Sequence, residues 1–145
     1  MADLTSIEAI VSRVLVVEDD PDHVLLLRRA LRPLGTTVSL EVAPDGPSAL
    51  ERLRSGAHPD LILLDVMMPG IDGVELCKEL REIPEFEDTL IIFLTARAED
   101  YSQIAGFEVG ADDYITKPIR PRVLLARVQA LLKRKTKTRV EENTI

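Results

Sequence analysis

Short apolar runs and amphipathic stretches alternate along this chain. The runs Val14-Leu15-Val16-Val17, Leu61-Ile62-Leu63-Leu64 and Leu90-Ile91-Ile92-Phe93-Leu94 are continuous. Runs of this length and continuity fit strands buried on both faces. Between them, apolar residues recur at helical spacing: Val24, Leu27, Leu31 and Leu34, then Ala49, Leu50 and Leu53, then Val74, Leu76, Cys77 and Leu80, then Leu124, Val128 and Leu131. That period places one apolar stripe of each helix against the sheet.

The boundaries follow from local chemistry. Arg13 to Val17 is the first strand, and Asp20 before Pro21 predicts an N-cap with proline at the first helical position. Gly35 closes that helix, and Thr36 to Val42, rich in β-branched residues, is the second strand. Asp45-Gly46-Pro47 is a turn, followed by a helix running to about Gly56. The third strand, Leu61 to Asp65, ends before the punctuating Pro69-Gly70, and Asp72 with Glu75 makes a capping-box-like start to the next helix. After Ile83-Pro84 comes the fourth strand, ending at Thr95. Residues 99–109 predict a fourth helix, weakened by Gly106 at a cost of about 1 kcal/mol relative to alanine. Tyr114 to Thr116 is a short fifth strand ending at Lys117-Pro118, and Pro121 starts the fifth helix.

Five strand-then-helix units predict an α/β fold with a parallel five-stranded sheet, helices on both faces and right-handed crossovers. This is the flavodoxin-like (βα)5 three-layer sandwich, strand order 2-1-3-4-5, whose switch point lies between strands 1 and 3. Glu18, Asp19 and Asp65 meet there. The expected organisation is an N-terminal arm (1–12), one domain (13–134) and a linker or tail (135–145), where the composition turns polar and basic from Lys133.

Composition narrows the function. The 145 residues carry a net charge of −7 and a single cysteine, Cys77. The acidity argues against nucleic-acid binding by the domain itself, and a lone cysteine fits a reducing cytoplasm. The N-terminus lacks a signal-peptide pattern, and no apolar run approaches the roughly 18 residues of a membrane span.

Four of the five strands deliver a polar group at their carboxyl ends: Glu18 and Asp19, Asp65, Thr95, and Lys117. Three crowded carboxylates raise one another's pKa unless a cation compensates them. A hard divalent cation such as Mg²⁺ takes carboxylate, water and phosphate oxygens. Lys117 would supply a compact positive charge to a phosphate, and Thr95 a hydroxyl donor. One carboxylate can act as nucleophile and carry an aspartyl phosphate.

These residues resemble the receiver domain of bacterial two-component response regulators. The match runs through Val16-Val17-Glu18-Asp19-Asp20, Leu63-Leu64-Asp65-Val66-Met67-Met68-Pro69-Gly70 with Asp72-Gly73, Leu94-Thr95-Ala96-Arg97, and Gly110-Ala111-Asp112-Asp113-Tyr114-Ile115-Thr116-Lys117-Pro118. The resemblance implies a phosphorylation-dependent signalling switch. Asp65 is its phosphoacceptor, supplied by a histidine kinase or phosphotransfer protein. It implies Mg²⁺, with Mn²⁺ as a substitute, held by Asp19, by Glu18 through water, by Asp65 and by the Met67 backbone carbonyl. Thr95 and Lys117 hold the phosphoryl oxygens, and Thr95 and Tyr114 form a switch pair. Lys117-Pro118 is a cis bond, and the side chains of Met67 and Arg97 tune phosphate lifetime. Receivers of winged-helix transcription factors are the most similar; they dimerise through helix 4, strand 5 and helix 5, to which Asp112, Asp113 and Arg127 correspond. Residues 101–107, in the fourth helix, carry none of the basic residues usual there.

Plainer readings stand beside these. Asp20 is a helix cap rather than a ligand. Tyr114 suits strand packing as well as a switch, and Asp112 and Asp113 suit solubilising charge as well as pairing. His23 and His58 have no metal-ligand spacing and read as surface residues; Cys77 reads as a buried, inert thiol. The basic run from Lys133 to Arg139 lacks interleaved aromatics and reads as a solvated linker. A phosphohydrolase using an aspartyl phosphate needs a second carboxylate two residues past the nucleophile, and Met67 stands there.

Overall fold

In a computed structural model of the chain, residues 11–67, 72–96 and 108–143 are described, with side chains described through Lys135. The arm up to residue 10, Arg97 and nearly all of the predicted fourth helix lie outside the described residues. The strands are β1 (Ser12–Val17), β2 (Val38–Ala43), β3 (Leu61–Asp65), β4 (Leu90–Thr95) and β5 (Asp113–Thr116). They form one sheet in the order β2-β1-β3-β4-β5, with every neighbouring pair parallel. The helices are α1 (Pro21–Leu31), α2 (Gly46–Arg54), α3 (Gly73–Arg81) and a C-terminal helix (Pro121–Asn143).

Both faces of the sheet are apolar, so successive residues of one strand enter different cores. Leu15, Val17, Ile62, Leu64, Ile91 and Phe93 pack with Ala49, Leu50 and Leu53 of α2 and with Leu76, Cys77 and Leu80 of α3. Their neighbours Val14, Val16, Leu61, Leu63, Ile92, Leu94 and Ile115 pack with Leu27 and Leu31 of α1 and with Leu124, Val128 and Leu131 of the C-terminal helix.

The caps are where the side chains demand them. Asp20 accepts from the Asp22 N–H at 2.9 Å, Asp45 from Ser48 at 2.7 Å and Asp72 from Glu75 at 2.9 Å. The Ser48 N–H also holds the Asp45 carboxyl below its ordinary pKa. Two ends differ from expectation. The first helix stops at Leu31 instead of Gly35, because Pro33 cannot donate to a continuing α-helix; short 3-10 turns within Arg32–Thr37 take over, broken by a kink at Gly35, whose φ +58° is not helical. The last helix continues through Asn143, so a helix occupies the expected linker. Its residue Lys135 donates to the carbonyls of Asp60 (3.2 Å) and Asp88 (3.1 Å), which ties the helix to the loops entering β3 and β4.

Gly73 opens α3 directly against the end of β3. A Cβ there would lie 2.5 Å from the Asp65 carbonyl oxygen and 2.9 Å from Val66 Cα. Both obstacles are backbone and cannot rotate away. Gly73→Ala is therefore expected to lower stability by about 2 kcal/mol, in the range of core overpacking, which urea unfolding measures; a loss within error would mean that α3 can slide freely on β3.

Candidate functional site

Strand register assembles the site. Val17 pairs with Leu64, so Glu18 follows beside Asp65; Asp65 pairs with Leu94, and Thr95 with Thr116, so Lys117 follows beside Thr95. Alternation along the strands turns Glu18, Asp65 and Lys117 toward the same face, the one covered by α1. The Glu18, Asp19 and Asp65 carboxylates each offer an oxygen within 4.8 Å of the others, with Glu18 and Asp65 buried and Asp19 exposed. Thr95 is buried at the same strand edge, and its carbonyl accepts from the Lys117 N–H at 2.6 Å. The Lys117–Pro118 peptide is cis, as expected.

Lys117 bridges the acids. Its ammonium lies 3.2 Å from Asp65 Oδ1 and 3.3 Å from Glu18 Oε2. Asp65 Oδ1 also accepts from the Met67 N–H at 3.2 Å. Burial, and then the Asp65 carboxylate, push Glu18 above the ordinary carboxylate pKa; Lys117, the Asp20 N–H and His23 oppose them. An ammonium therefore stands among the acids, yet Glu18 still carries the cost of an incompletely compensated buried charge. The side chain of Met67 is 73% exposed at the rim, away from the core.

His23 is the residue sequence reasoning misplaced. Instead of facing only solvent, its Nδ1 lies 3.3 Å from Glu18 Oε1, 3.3 Å from Lys117 Nζ and 3.6 Å from Asp20 Oδ2. The signal was its place in the first turn, three residues after the cap Asp20. Helix side chains point back toward the N-terminus, which here is the mouth of the site. His58 is the surface residue expected, its ring tilted against Phe86 at 5.5 Å.

Tyr114 packs against the α2–α3 core and borders a groove of about 430 Å³ with Lys117, Pro118, Arg120, Val123 and Arg127. Asp112, Asp113 and Arg127 are engaged within the chain. Asp113 meets Arg127 at 2.7 Å. Asp112 accepts from the Ile91 N–H at 2.8 Å and pairs with Arg81 at 3.1 Å.

The buried acids, the bridging lysine and the flanking threonine sit at the carboxyl edge of a 2-1-3-4-5 sheet, and the comparisons agree with that geometry. Residues 14–129 match the family model described as "Response regulator receiver domain". The chain belongs to the response regulator receiver family. As a receiver domain it is a phosphorylation-dependent signalling module with the flavodoxin-like fold. It is 44% identical over 122 residues to the alkaline phosphatase synthesis transcriptional regulatory protein PhoP of Bacillus subtilis (strain 168), covering 84% of this chain and 49% of that protein. It is 46% identical over 131 residues to the response regulator MprA of Mycobacterium ulcerans (strain Agy99), covering 90% of this chain and 53% of the relative. The chain thus spans about half the length of these relatives. Among solved structures it is similar to DrrB, a Thermotoga maritima OmpR/PhoB homolog (TM-score 0.74, 34% identity, 86% of this chain and 54% of that one). It is also similar to the chemotaxis response regulator CheY4 of Vibrio cholerae (TM-score 0.76, 30% identity, 83% and 98%). The resemblance to receivers of winged-helix regulators stands with these relatives.

The buried thiol of Cys77 plays no part in this site. Its Sγ donates toward the Val109 carbonyl at 3.8 Å, and burial raises its pKa from 9.0 to about 11. Folding therefore favours the protonated thiol. That contribution is complete below about pH 9 and is lost as the pH rises through about 11. At pH 8 a thiol reagent should leave the native protein unmodified and react fully after unfolding; fast native labelling would contradict this burial.

Proposed function

We propose that Asp65 accepts a phosphoryl group from the phosphohistidine of a sensor kinase or phosphotransfer protein, in an Mg²⁺-dependent step. The carrying observation is the convergence of Glu18, Asp19, Asp65, Lys117 and Thr95 on one strand edge. Three oxygen donors within 4.8 Å suit a hard divalent cation. Asp19, Asp65, the Met67 carbonyl and, through water, Glu18 would hold it; Mn²⁺ would substitute. Bound there, the cation neutralises charge on the acids and on the transferring phosphoryl group.

The chain's own residues do the rest. Asp65 Oδ1 already takes the Met67 and Lys117 donors, which leaves Oδ2 to make the new O–P bond. The donor's N–P bond breaks, its electron pair stays on the donor imidazole, and that ring takes up a proton. Lys117 and the Thr95 hydroxyl then move their bonds to phosphoryl oxygens. Tyr114, beside the groove, turns as Thr95 moves, and the helix 4–strand 5–helix 5 face changes shape. A homodimer through that face would exchange the intrachain Asp113–Arg127 pair for one across copies. Met67 and Arg97 would set how long the phosphate lasts. Dephosphorylation is slow and self-catalysed, because Met67 puts no second carboxylate where a phosphohydrolase needs one.

The domain would span 13–134, with 135–145 a linker or tail that is helical through Asn143, and its address would be cytoplasmic. No helix among the described residues is long and apolar enough to cross a membrane.

Acetyl phosphate with Mg²⁺ should add one phosphoryl group, seen by intact mass, and a chelator should abolish the gain. Chelator-resistant labelling would overturn the metal-dependent reading; rapid turnover of p-nitrophenyl phosphate would overturn the switch.

A further inference from the structure

We propose that His23 is a positioning residue of the acceptor site, holding the Glu18 carboxylate and the Lys117 ammonium in place for the divalent cation and the phosphoryl group. This rests on the reading of Asp65 as an Mg²⁺-dependent acceptor. The imidazole reaches both halves of the site from outside the sheet, its Nδ1 being 3.3 Å from Glu18 Oε1 and 3.3 Å from Lys117 Nζ. Either tautomer bonds the site. With the proton on Nδ1 the ring donates to Glu18; with the proton on Nε2, Nδ1 accepts from Lys117.

The need for such a group is visible at Glu18. Its side chain is 1% exposed, so every donor it has must come from the protein. Oε1 has the Asp20 N–H at 3.2 Å and His23; Oε2 has Lys117. Without His23, Oε1 keeps a single donor, and Lys117 loses the neighbour that stands beside its two carboxylates. Glu18 and Lys117, already 3.3 Å apart, then lose the group that fixes their orientation from the outer side, and the carboxylate is no longer held where a cation needs it. Groups that orient metal ligands from behind have effects far larger than one neutral hydrogen bond suggests.

The position also permits a clean test. His23 lies in the first turn of α1, whose start Asp20 caps independently, and its side chain is 40% exposed. Removing the ring therefore leaves the core alone. Asparagine places an amide nitrogen or oxygen the same number of bonds from Cα as Nδ1, so it can serve as donor or acceptor.

Isothermal titration of Mg²⁺ into the full chain should show His23→Ala binding about 10–100-fold more weakly than the natural sequence. His23→Asn should recover most of that loss, and both variants should unfold cooperatively without metal, with His23→Ala melting slightly below the parent because the buried Glu18 has lost a donor. Acetyl phosphate labelling should slow in the same order. Equal Mg²⁺ affinity in His23→Ala and the parent would overturn the inference while leaving the acceptor reading intact, as would equal weakening in His23→Ala and His23→Asn. If the parent itself neither bound Mg²⁺ nor took up a phosphoryl group, the acceptor reading would fall and this inference with it.

Discussion

Asp65→Asn is expected to take up no phosphoryl group from acetyl phosphate and Mg²⁺, while the parent should gain one on the same time scale. The change is isosteric and the side chain is buried at 3% exposure, so the loss is chemical rather than structural. An amide lacks the anionic oxygen that attacks phosphorus. It also presents the Lys117 ammonium at 3.2 Å with a weaker acceptor, and removes one of three carboxylates crowded within 4.8 Å. Two consequences separate this result from unfolding. The variant should melt at or above the parent's temperature in the absence of metal, because like charges no longer repel at the strand edge. Its Mg²⁺ affinity should fall, because a charged ligand is gone. Labelling of Asp65→Asn equal to that of the parent would place the acceptor elsewhere, with Asp19, exposed beside it, the next carboxylate to test.

Arg81→Ala is expected to lose about 3 kcal/mol of folding stability, well within the range for removing one partner of a largely desolvated charged network. Arg81 ends α3 and its guanidinium is spread over two chain segments, 86–89 and 110–112. It donates to Gly110 O at 2.9 Å, to Phe86 O at 2.8 Å, to Glu87 O at 3.3 Å and to Thr89 O at 2.7 Å, and pairs with Asp112 at 3.1 Å. Its side chain is only 18% exposed. Truncation strands these carbonyls and leaves Asp112 without its countercharge, although the Ile91 N–H still holds the carboxylate. Gly110 adds a geometric constraint. At φ +97° it sits in a conformation L side chains rarely adopt, with Arg81 atoms 3.2–3.5 Å from where a Cβ would be. Out of a total stability of about 5–15 kcal/mol, such a loss should move the urea midpoint by roughly 1–3 M. Arg81→Lys should recover little of it, since a single ammonium cannot reach carbonyls that a planar fork spans. A midpoint shift in Arg81→Ala no larger than that of an ordinary surface substitution would show that the segment entering β5 is held by other contacts.

These two residues mark the two kinds of information in the chain. Asp65 was legible because it interrupts nothing: four apolar residues precede it, and a strand buried on both faces delivers its next residue to the sheet edge. Nothing in the sequence marks Arg81, one of the basic residues in its helix's last turn. Its partners lie 5 to 31 positions away in sequence, and no local pattern specifies them. His23 lay between these cases. Its first-turn position was written in the sequence, but what it faced depended on α1 packing over β1 and β3. Asp113 and Arg127 were marked only by their resemblance to a pattern of cross-subunit ion pairs, while their pairing with each other within one chain followed from the packing of the C-terminal helix on β5.

By itself, then, the order of residues determined the alternation of strands and helices, the caps and the polar group at the end of four of the five strands. Those properties depend on hydrophobic period and on backbone chemistry within a few residues. Tertiary structure decided which faces met. Parallel register brought Glu18, Asp65 and Lys117 onto one face, the crossover of α1 laid His23 over them, and the close approach of α3 to β3 required Gly73. Each is a long-range consequence of burying both faces of one sheet, and only the folded chain satisfies them together.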